Sequence, residues 1–165
     1  MASAKSSSSV TPSCLSRSGA LTTWEERKRL EKGQRSAGEA MESVARALPA
    51  LTRAEKIQGK AARAGFDWPD IGPAMDKVGE ELDELRQAVD TGTNVEEELG
   101  DLLFAAAKVG RFAGVDPELA LQRACDKFIR RFRGVERLAG DKPLEGRPLE
   151  ELNDLWRQAK EHEDL

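Results

Sequence analysis

The chain has 165 residues, with 26 basic and 30 acidic side chains, one histidine, two cysteines and a formal net charge of −4. The single His162 argues against histidine triads and histidine-rich metal sites, and the distant Cys14 and Cys125 argue against a disulfide framework or a thiolate metal site. Acidic and basic residues are interleaved and no apolar run approaches the roughly 20 residues of a membrane span, so we expect neither a nucleic-acid nor a membrane partner.

This length accommodates one ordinary domain and a tail. Residues 1–20 are rich in serine and contain no acid, so we expect a disordered leader, although a transit peptide shares that bias. Residues 21–47 contain a short charged helix, Thr22–Lys32, and a linker of Gly, Ser and Ala from Gly33 to about Ala47. The domain proper then covers residues 48–162. Two unpaired cysteines fit a reducing compartment, and we expect a cytoplasmic protein.

The first helix of this domain is predicted from Leu51 to Ala64, followed by a loop at residues 66–69 whose Pro69 opens the next helix. The second helix carries an apolar seam with alternating spacings of four and three residues, which is typical of a packed bundle. Its members are Ile71, Met75, Val78, Leu82, Leu85 and Val89. A break at residues 91–93 precedes Asn94, which we predict to be an N-cap with Glu97 as its capping-box partner.

Three more helices complete the predicted all-α bundle. The third buries a stripe of Val95, Leu99, Leu102, Leu103, Ala106 and Val109 and ends at Gly114. The fourth begins at Asp116-Pro117 and runs to about Ala139, with a core face of Leu121, Ala124, Phe128, Phe132, Val135 and Leu138. The last spans roughly Leu149 to Glu161. No segment shows the two-residue alternation of a β-strand.

Two acidic clusters flank the break between the second and third helices. They are Glu80, Glu81 and Glu84, then Glu97, Glu98 and Asp101. Solvated helix faces often carry such strings, but Glu98 lies inside an apolar stripe, where a solvated face does not explain it. Carboxylates gathered beside a core repel one another, and a hard divalent cation such as Mg²⁺ removes that penalty. The pattern therefore predicts a metal site between two helices.

Several motifs appear in a fixed order along the domain. KVGEEL-x-EL at residues 77–85 is followed by EELGDLLF at residues 97–104. Upstream lie LPAL at residues 48–51, KIQ at 56–58 and GFDWP at 65–69, and downstream lie KF-x-x-RF-x-x-VE at 127–136 and W-x-x-x-K at 156–160. Over about residues 48–161, this series resembles the MazG family of nucleoside triphosphate pyrophosphohydrolases.

The resemblance implies an all-α bundle of about five helices that assembles as a homodimer or a higher oligomer. It also implies hydrolysis of nucleoside triphosphates to the monophosphate and pyrophosphate with Mg²⁺, or Mn²⁺ in its place. The metal ligands that the resemblance implies are Glu81, Glu84, Glu98 and Asp101. The implied catalytic residues are Glu81 and Glu80, the latter as a base or as a residue that supports the metal ligands. The implied substrate-binding residues are Lys127, Arg131, Trp156 and Lys160.

Several alternatives stay open. Lys127 and Arg131 also fit an ordinary basic helix face, and Trp156 also fits a core position. Cys125 stands where the family often has asparagine. Trp24-x-x-x-Lys28 repeats the spacing of the last motif, either as the tail of a preceding MazG domain or by chance. The rival functions are an enzyme specialised for one nucleotide, such as dCTP, dUTP or a modified dNTP, and a non-enzymatic helical adaptor with an acidic binding face.

Overall fold

The computed structural model describes Arg27, Glu31, Gly33, residues 36–141 and residues 143–161. These residues contain six α-helices and no β-strand, which confirms the predicted all-α class. The helices are α1 (Ala37–Glu42), α2 (Ala50–Arg63), α3 (Gly72–Thr91), α4 (Val95–Ala113), α5 (Pro117–Ala139) and α6 (Leu149–Glu161). Within this described part, no helix combines the length and the apolar character needed to cross a membrane.

The short helix α1 lies where the sequence predicted only a linker. It begins with a capping box: the Oγ of Ser36 accepts a hydrogen bond from the backbone of Glu39 at 3.1 Å, and the Glu39 carboxylate accepts one from the Ser36 backbone at 3.3 Å. That reciprocal pairing explains why a helix forms inside a Gly- and Ala-rich stretch. The predicted leader at residues 1–20 and most of the predicted helix Thr22–Lys32 lie outside the described residues.

The ends of α3 and α4 depart from two predicted details. Pro69 does not open α3, which begins at Gly72, where the Asp70 carboxylate accepts a hydrogen bond from the Gly72 backbone at 2.8 Å. Asn94 makes no side-chain cap, so the predicted capping box with Glu97 is wrong. The physical reason is the backbone of Asn94: its φ of 59° is left-handed, whereas a capping side chain needs an extended residue.

The contact between α3 and α4 is the most extensive helix contact among the described residues, and the buried apolar residues of these two helices are small. Ala74 and Ala88 are buried on α3, and Ala105 and Ala107 on α4. The predicted apolar faces instead lie largely open in the single chain. Exposed members are Met75, Leu82 and Val89 on α3, Leu99 and Leu103 on α4, and Leu121, Phe128, Phe132 and Leu138 on α5. Only Val135 of the predicted α5 core face is fully buried.

The last two helices approach closely because α5 has a glycine at the crossing point. A Cβ built on Gly134 would lie 3.0 Å from the Cβ of Ala159 on α6, closer than ordinary van der Waals contact. Both residues are buried. The start of α5 is as predicted, with the Asp116 carboxylate accepting a hydrogen bond from the Leu119 backbone at 3.0 Å. The Gly134–Ala159 contact thus determines how near α6 lies to α5.

An acidic side chain fastens the loop before α3 to the C-terminal half of α4. The carboxylate of Asp67 contacts the Lys108 ammonium at 2.7 Å and the Arg111 guanidinium at 2.5 Å. Lys108 also lies 5.2 Å from the centre of the Trp68 ring. Charge-assisted hydrogen bonds of this kind are about twice as strong as neutral ones. Asp67 therefore connects a loop without regular structure to one of the two central helices.

Asp67 should make the stability of the protein depend on acid. Loss of hydration alone would raise its pKa, but hydrogen bonds from Lys108 and Arg111 hold the pKa below its usual value of 3.8. A carboxyl group with a depressed pKa stabilises the fold above its unfolded-state pKa, and that contribution disappears as the pH falls through the folded-state pKa.

We therefore expect Asp67→Asn to lower the free energy of unfolding by about 1–3 kcal/mol at pH 7, because two cations lose their partner. The matched control is Asp83→Asn, which removes an exposed pair with Arg86 and should change the free energy by less than about 0.5 kcal/mol. Urea unfolding at pH 7, 5, 4 and 3 measures both. The gap between the wild type and Asp67→Asn should narrow below about pH 4; a gap that stays constant would contradict the assignment.

Candidate metal and substrate site

Three of the predicted metal ligands come together where α3 and α4 pack. Glu81 from α3 and Glu98 and Asp101 from α4 each offer a carboxylate oxygen, and these oxygens all lie within 4.8 Å of one another. Their exposure increases in the order Glu81, Glu98, Asp101: Glu81 is buried, Glu98 is half-buried and Asp101 is exposed. This is an oxygen-only group open to solvent on one side, which is the ligand type that Mg²⁺ and other hard cations select.

Glu81 is the least ordinary member of the group. The residue is only 5% exposed, and its Oε2 is buried with no hydrogen-bond partner. An ionised oxygen without a partner away from water is costly, so such atoms in native folds need an explanation. A divalent cation would supply the missing partner. The donor set and the orphaned oxygen therefore fit a resident Mg²⁺ held by Glu81, Glu98 and Asp101.

A lysine occupies the other side of the same carboxylate. The Nζ of Lys77 lies 2.7 Å from Oε1 of Glu81 and 2.9 Å from Oε1 of Glu80. The hydrogen bonds donated to Glu81, and then to Glu80, raise the pKa of Lys77 well above its usual value. The ammonium therefore stays charged throughout the physiological pH range. Sequence reasoning did not single out Lys77, although its spacing of three and four residues from the two glutamates is a readable signal.

Glu84 and Glu80 lie at the edge of the group. Glu84 is exposed and does not belong to the three converging carboxylates. Loss of hydration, followed by the negative charge of Glu81 and further contributions from Glu98 and Glu80, raises the pKa of Glu84 above its usual value. Its side chain is thus within electrostatic reach of the group. Glu80 has a 57% exposed side chain and pairs with Lys77.

The predicted substrate-binding residues lie on the other helix pair, α5 and α6. Trp156 is half-buried, with its ring centre 5.1 Å from that of Phe128. Lys127 is exposed and lines a groove of about 390 Å³ together with Arg123 and Arg130. Arg131 is half-buried, and Lys160 is exposed directly after the buried Ala159. The main packing partners of α5 are α6, α2 and α4, so these side chains and the carboxylates occupy different helix pairs.

One further interaction supports α4 from behind. Gln58 on α2 is 3% exposed, and its Nε2 donates a hydrogen bond to the Phe104 carbonyl at 2.7 Å. The bond joins α2 to the helix that carries Glu98 and Asp101. The two residues are 46 positions apart in sequence, so no local pattern predicts it. Because Phe104 lies one turn beyond Asp101, Gln58 helps to keep the part of α4 that carries Glu98 and Asp101 in place.

Comparison with known proteins identifies this helical unit. Residues 74–135 match the model of the MazG nucleotide pyrophosphohydrolase domain. That range includes all the acidic candidates together with Lys127 and Arg131, whereas Trp156 and Lys160 lie beyond it.

Over 149 residues the chain is 46% identical to the nucleoside triphosphate pyrophosphohydrolase of Escherichia coli K12. The aligned region covers 87% of this chain and 57% of that protein. It is 42% identical over 139 residues to the nucleoside triphosphate pyrophosphohydrolase/pyrophosphatase MazG of Thermotoga maritima, covering 83% of this chain and 54% of that protein. The uncharacterized protein YabN of Bacillus subtilis is 41% identical over 148 residues, covering 87% of this chain and 30% of its own length. The chain thus spans little more than half the length of the first two relatives. Its helical fold, the match over residues 74–135 and this degree of identity together place the chain in the MazG family.

Proposed function

We propose that this protein hydrolyses nucleoside triphosphates, NTPs or dNTPs, to the monophosphate and pyrophosphate in a Mg²⁺-dependent reaction. The observation that carries the proposal is the buried Glu81, whose Oε2 has no partner and which converges with Glu98 and Asp101. The names of the E. coli and T. maritima relatives, both nucleoside triphosphate pyrophosphohydrolases, support the reaction type. A cellular role in removing unwanted nucleotides from the pool follows from that chemistry.

The charges of the two helix pairs complement a triphosphate. Its oxygens carry three or four negative charges, which the acidic side of α3 and α4 would repel without a cation. Bound Mg²⁺ would supply the charge that neutralises phosphate oxygens and favours attack by water. Glu81, Glu98 and Asp101 would hold the cation, with Glu84 joining them from the exposed edge. On α5 and α6, Lys127, Arg131 and Lys160 would bind phosphate oxygens.

Glu80 is the chain's candidate for moving a proton. The Lys77 ammonium contacts Oε1 of Glu80, whereas the Glu80 side chain as a whole is 57% exposed to solvent. In the proposed reaction Oε2 of Glu80 orients the attacking water and accepts its proton. Water attacks the phosphorus next to the sugar, and pyrophosphate leaves. Trp156 would stack on the base, which is the part of the substrate that the phosphate-binding residues do not contact.

A second copy of the chain would complete the site. The helices α3, α4 and α5 each expose several large apolar side chains, and clusters of exposed apolar residues often mark surfaces that a partner covers. The carboxylates and the cationic residues occupy different helix pairs within one chain. Both observations support a homodimer or a higher oligomer in which the substrate lies between α3–α4 of one copy and cationic residues of another.

Leu103→Glu tests this assembly, because a charge placed in the apolar face of α4 disfavours its burial. We expect the wild type to be a dimer or larger by light scattering, and Leu103→Glu to dissociate at least about tenfold more readily. Gln122→Glu, on an exposed polar position of α5, is the control and should leave the mass unchanged. A wild-type protein that is monomeric at high micromolar concentration and fully active would overturn the shared site.

The metal is tested by Glu98→Gln and Asp101→Asn, which remove ligand charge while keeping side-chain shape. Each should lose most pyrophosphate release, and Mg²⁺ should raise the melting temperature of the wild type more than that of either variant. Glu97→Gln, an exposed neighbour outside the group, should behave as the wild type. Undiminished activity in excess chelator would contradict the metal site, and a protein that neither binds Mg²⁺ nor releases pyrophosphate would favour the helical adaptor.

Running the pyrophosphate-release assay over the eight common NTPs and dNTPs distinguishes a broad enzyme from one specialised for a single nucleotide.

The separate roles of α6 residues are tested by binding. Trp156→Ala should weaken nucleotide binding by roughly five- to 150-fold, the range for base stacking, and leave binding of inorganic triphosphate unchanged. Lys160→Ala should weaken both ligands alike, because its phosphate partner is present in both. Trp156→Phe keeps an aromatic face against Phe128 and serves as the fold-preserving control, checked by circular dichroism. Normal binding of both ligands by Trp156→Ala would leave Trp156 as a packing residue.

A further inference from the structure

The two oxygens of the Glu81 carboxylate have different surroundings. Oε1 lies 2.7 Å from the Lys77 ammonium, whereas Oε2 is buried with no hydrogen-bond partner. The same ammonium contacts Glu80 at 2.9 Å, so it is held from two sides. In the described part of the chain, Lys77 pairs with these two glutamates and forms no ion pair with Glu98 or Asp101. The lysine thus lies against one side of the carboxylate and leaves the converging group open.

We propose that Lys77 is a positioning residue for the cation: it holds Glu81 by Oε1 and thereby keeps Oε2 available as a metal ligand. The inference rests on the proposed function, since it concerns how the site is prepared for Mg²⁺. Lys77 remains on Glu81 when the cation binds, and it does not touch the substrate.

Burial is the reason that Glu81 needs such a partner. Its side chain is 7% exposed, and a carboxylate there with neither oxygen paired would be driven to turn outward to water. That movement would remove the innermost oxygen of the converging group. The ammonium contacts Oε1 of Glu81 and Oε1 of Glu80, and Oε2 of Glu81 stays without a hydrogen-bond partner. An incoming cation would then meet a carboxylate that is already oriented.

The charge of Lys77 also has a competing effect, which would weaken the binding of a cation. The positive charge of Lys77 repels an incoming cation, and a lysine that merely substituted for the cation would have to leave when the cation binds. The Lys77 side chain is 33% exposed, so water screens this repulsion. We therefore expect the orienting effect to exceed the repulsion, and the two accounts predict opposite changes in metal affinity when the ammonium is removed.

Calorimetric titration of the metal-free full chain with Mg²⁺ decides between them. Lys77→Met keeps the length of the side chain without its charge, and we expect its Kd for Mg²⁺ to rise at least about fivefold. Lys77→Arg keeps the donor and should stay within about twofold of the wild type. Arg86→Met is the matched control: it removes one positive charge from the same helix and breaks the exposed pair with Asp83, 2.7 Å in length, without touching the site.

Each outcome has a defined meaning. An unchanged or tighter Kd in Lys77→Met, or an equal weakening in Arg86→Met, overturns the positioning role. Circular dichroism checks the fold, and if Lys77→Met does not fold, Lys77→Gln is measured in the same way with the same expected loss. Saturating Mg²⁺ should restore most of the turnover of Lys77→Met, which a directly catalytic lysine would not allow. A wild type that binds no Mg²⁺ would instead refute the proposed function itself.

Discussion

The burial of one carboxylate between α3 and α4 is the constraint to which the rest of the site conforms. Glu81 lies in line with Ala74 and Ala88 along the buried side of α3, at a spacing of seven residues. Glu81 is thus buried on the same side of α3 as the two alanines, although its side chain is longer and polar. The close packing of α3 on α4 therefore brings Glu98 and Asp101 to Glu81 and at the same time removes Glu81 from water.

The two ends of this helix pair are held by different means. At one end, Gly92 and Asn94 adopt left-handed backbone conformations and reverse the chain in the short stretch between α3 and α4. At the other end, Asp67 ties the preceding loop to Lys108 and Arg111. Behind α4, Gln58 bonds to the Phe104 carbonyl. The relative position of α3 and α4 thus depends on contacts at both ends and on one side of the site.

Periodicity predicts five of the six described helices and an acidic site between α3 and α4, because both depend on spacing within a helix. The set of four carboxylates came from the resemblance to the MazG family; Glu81, Glu98 and Asp101 of that set converge, whereas Glu84 lies at the edge. Periodicity failed where the burial of a helix face depends on which surface packs against it. The seams of α3 and α5 were expected to be buried, yet Met75, Val89 and Phe128 are exposed in the single chain, while the buried apolar residues of α3 are alanines. An apolar stripe shows which face avoids water without showing whether its own chain covers it. Likewise, the Asp67 anchor and the Gln58 bond join residues more than 40 positions apart, beyond any local pattern.

The crossing of α5 and α6 has a consequence for how this architecture can diversify. Trp156 precedes Ala159 by one turn, so the distance between the two helices also sets the depth at which the indole ring lies beside Phe128. That distance is limited by a hydrogen atom at Gly134 and a methyl group at Ala159. Adding a methyl group at Gly134, or removing the one at Ala159, would change the distance between the helices and move the indole ring relative to the cations of α5. Under the proposed role of Trp156, selectivity among bases of different size could therefore change through a buried packing position, without a change in any polar residue proposed to bind the substrate.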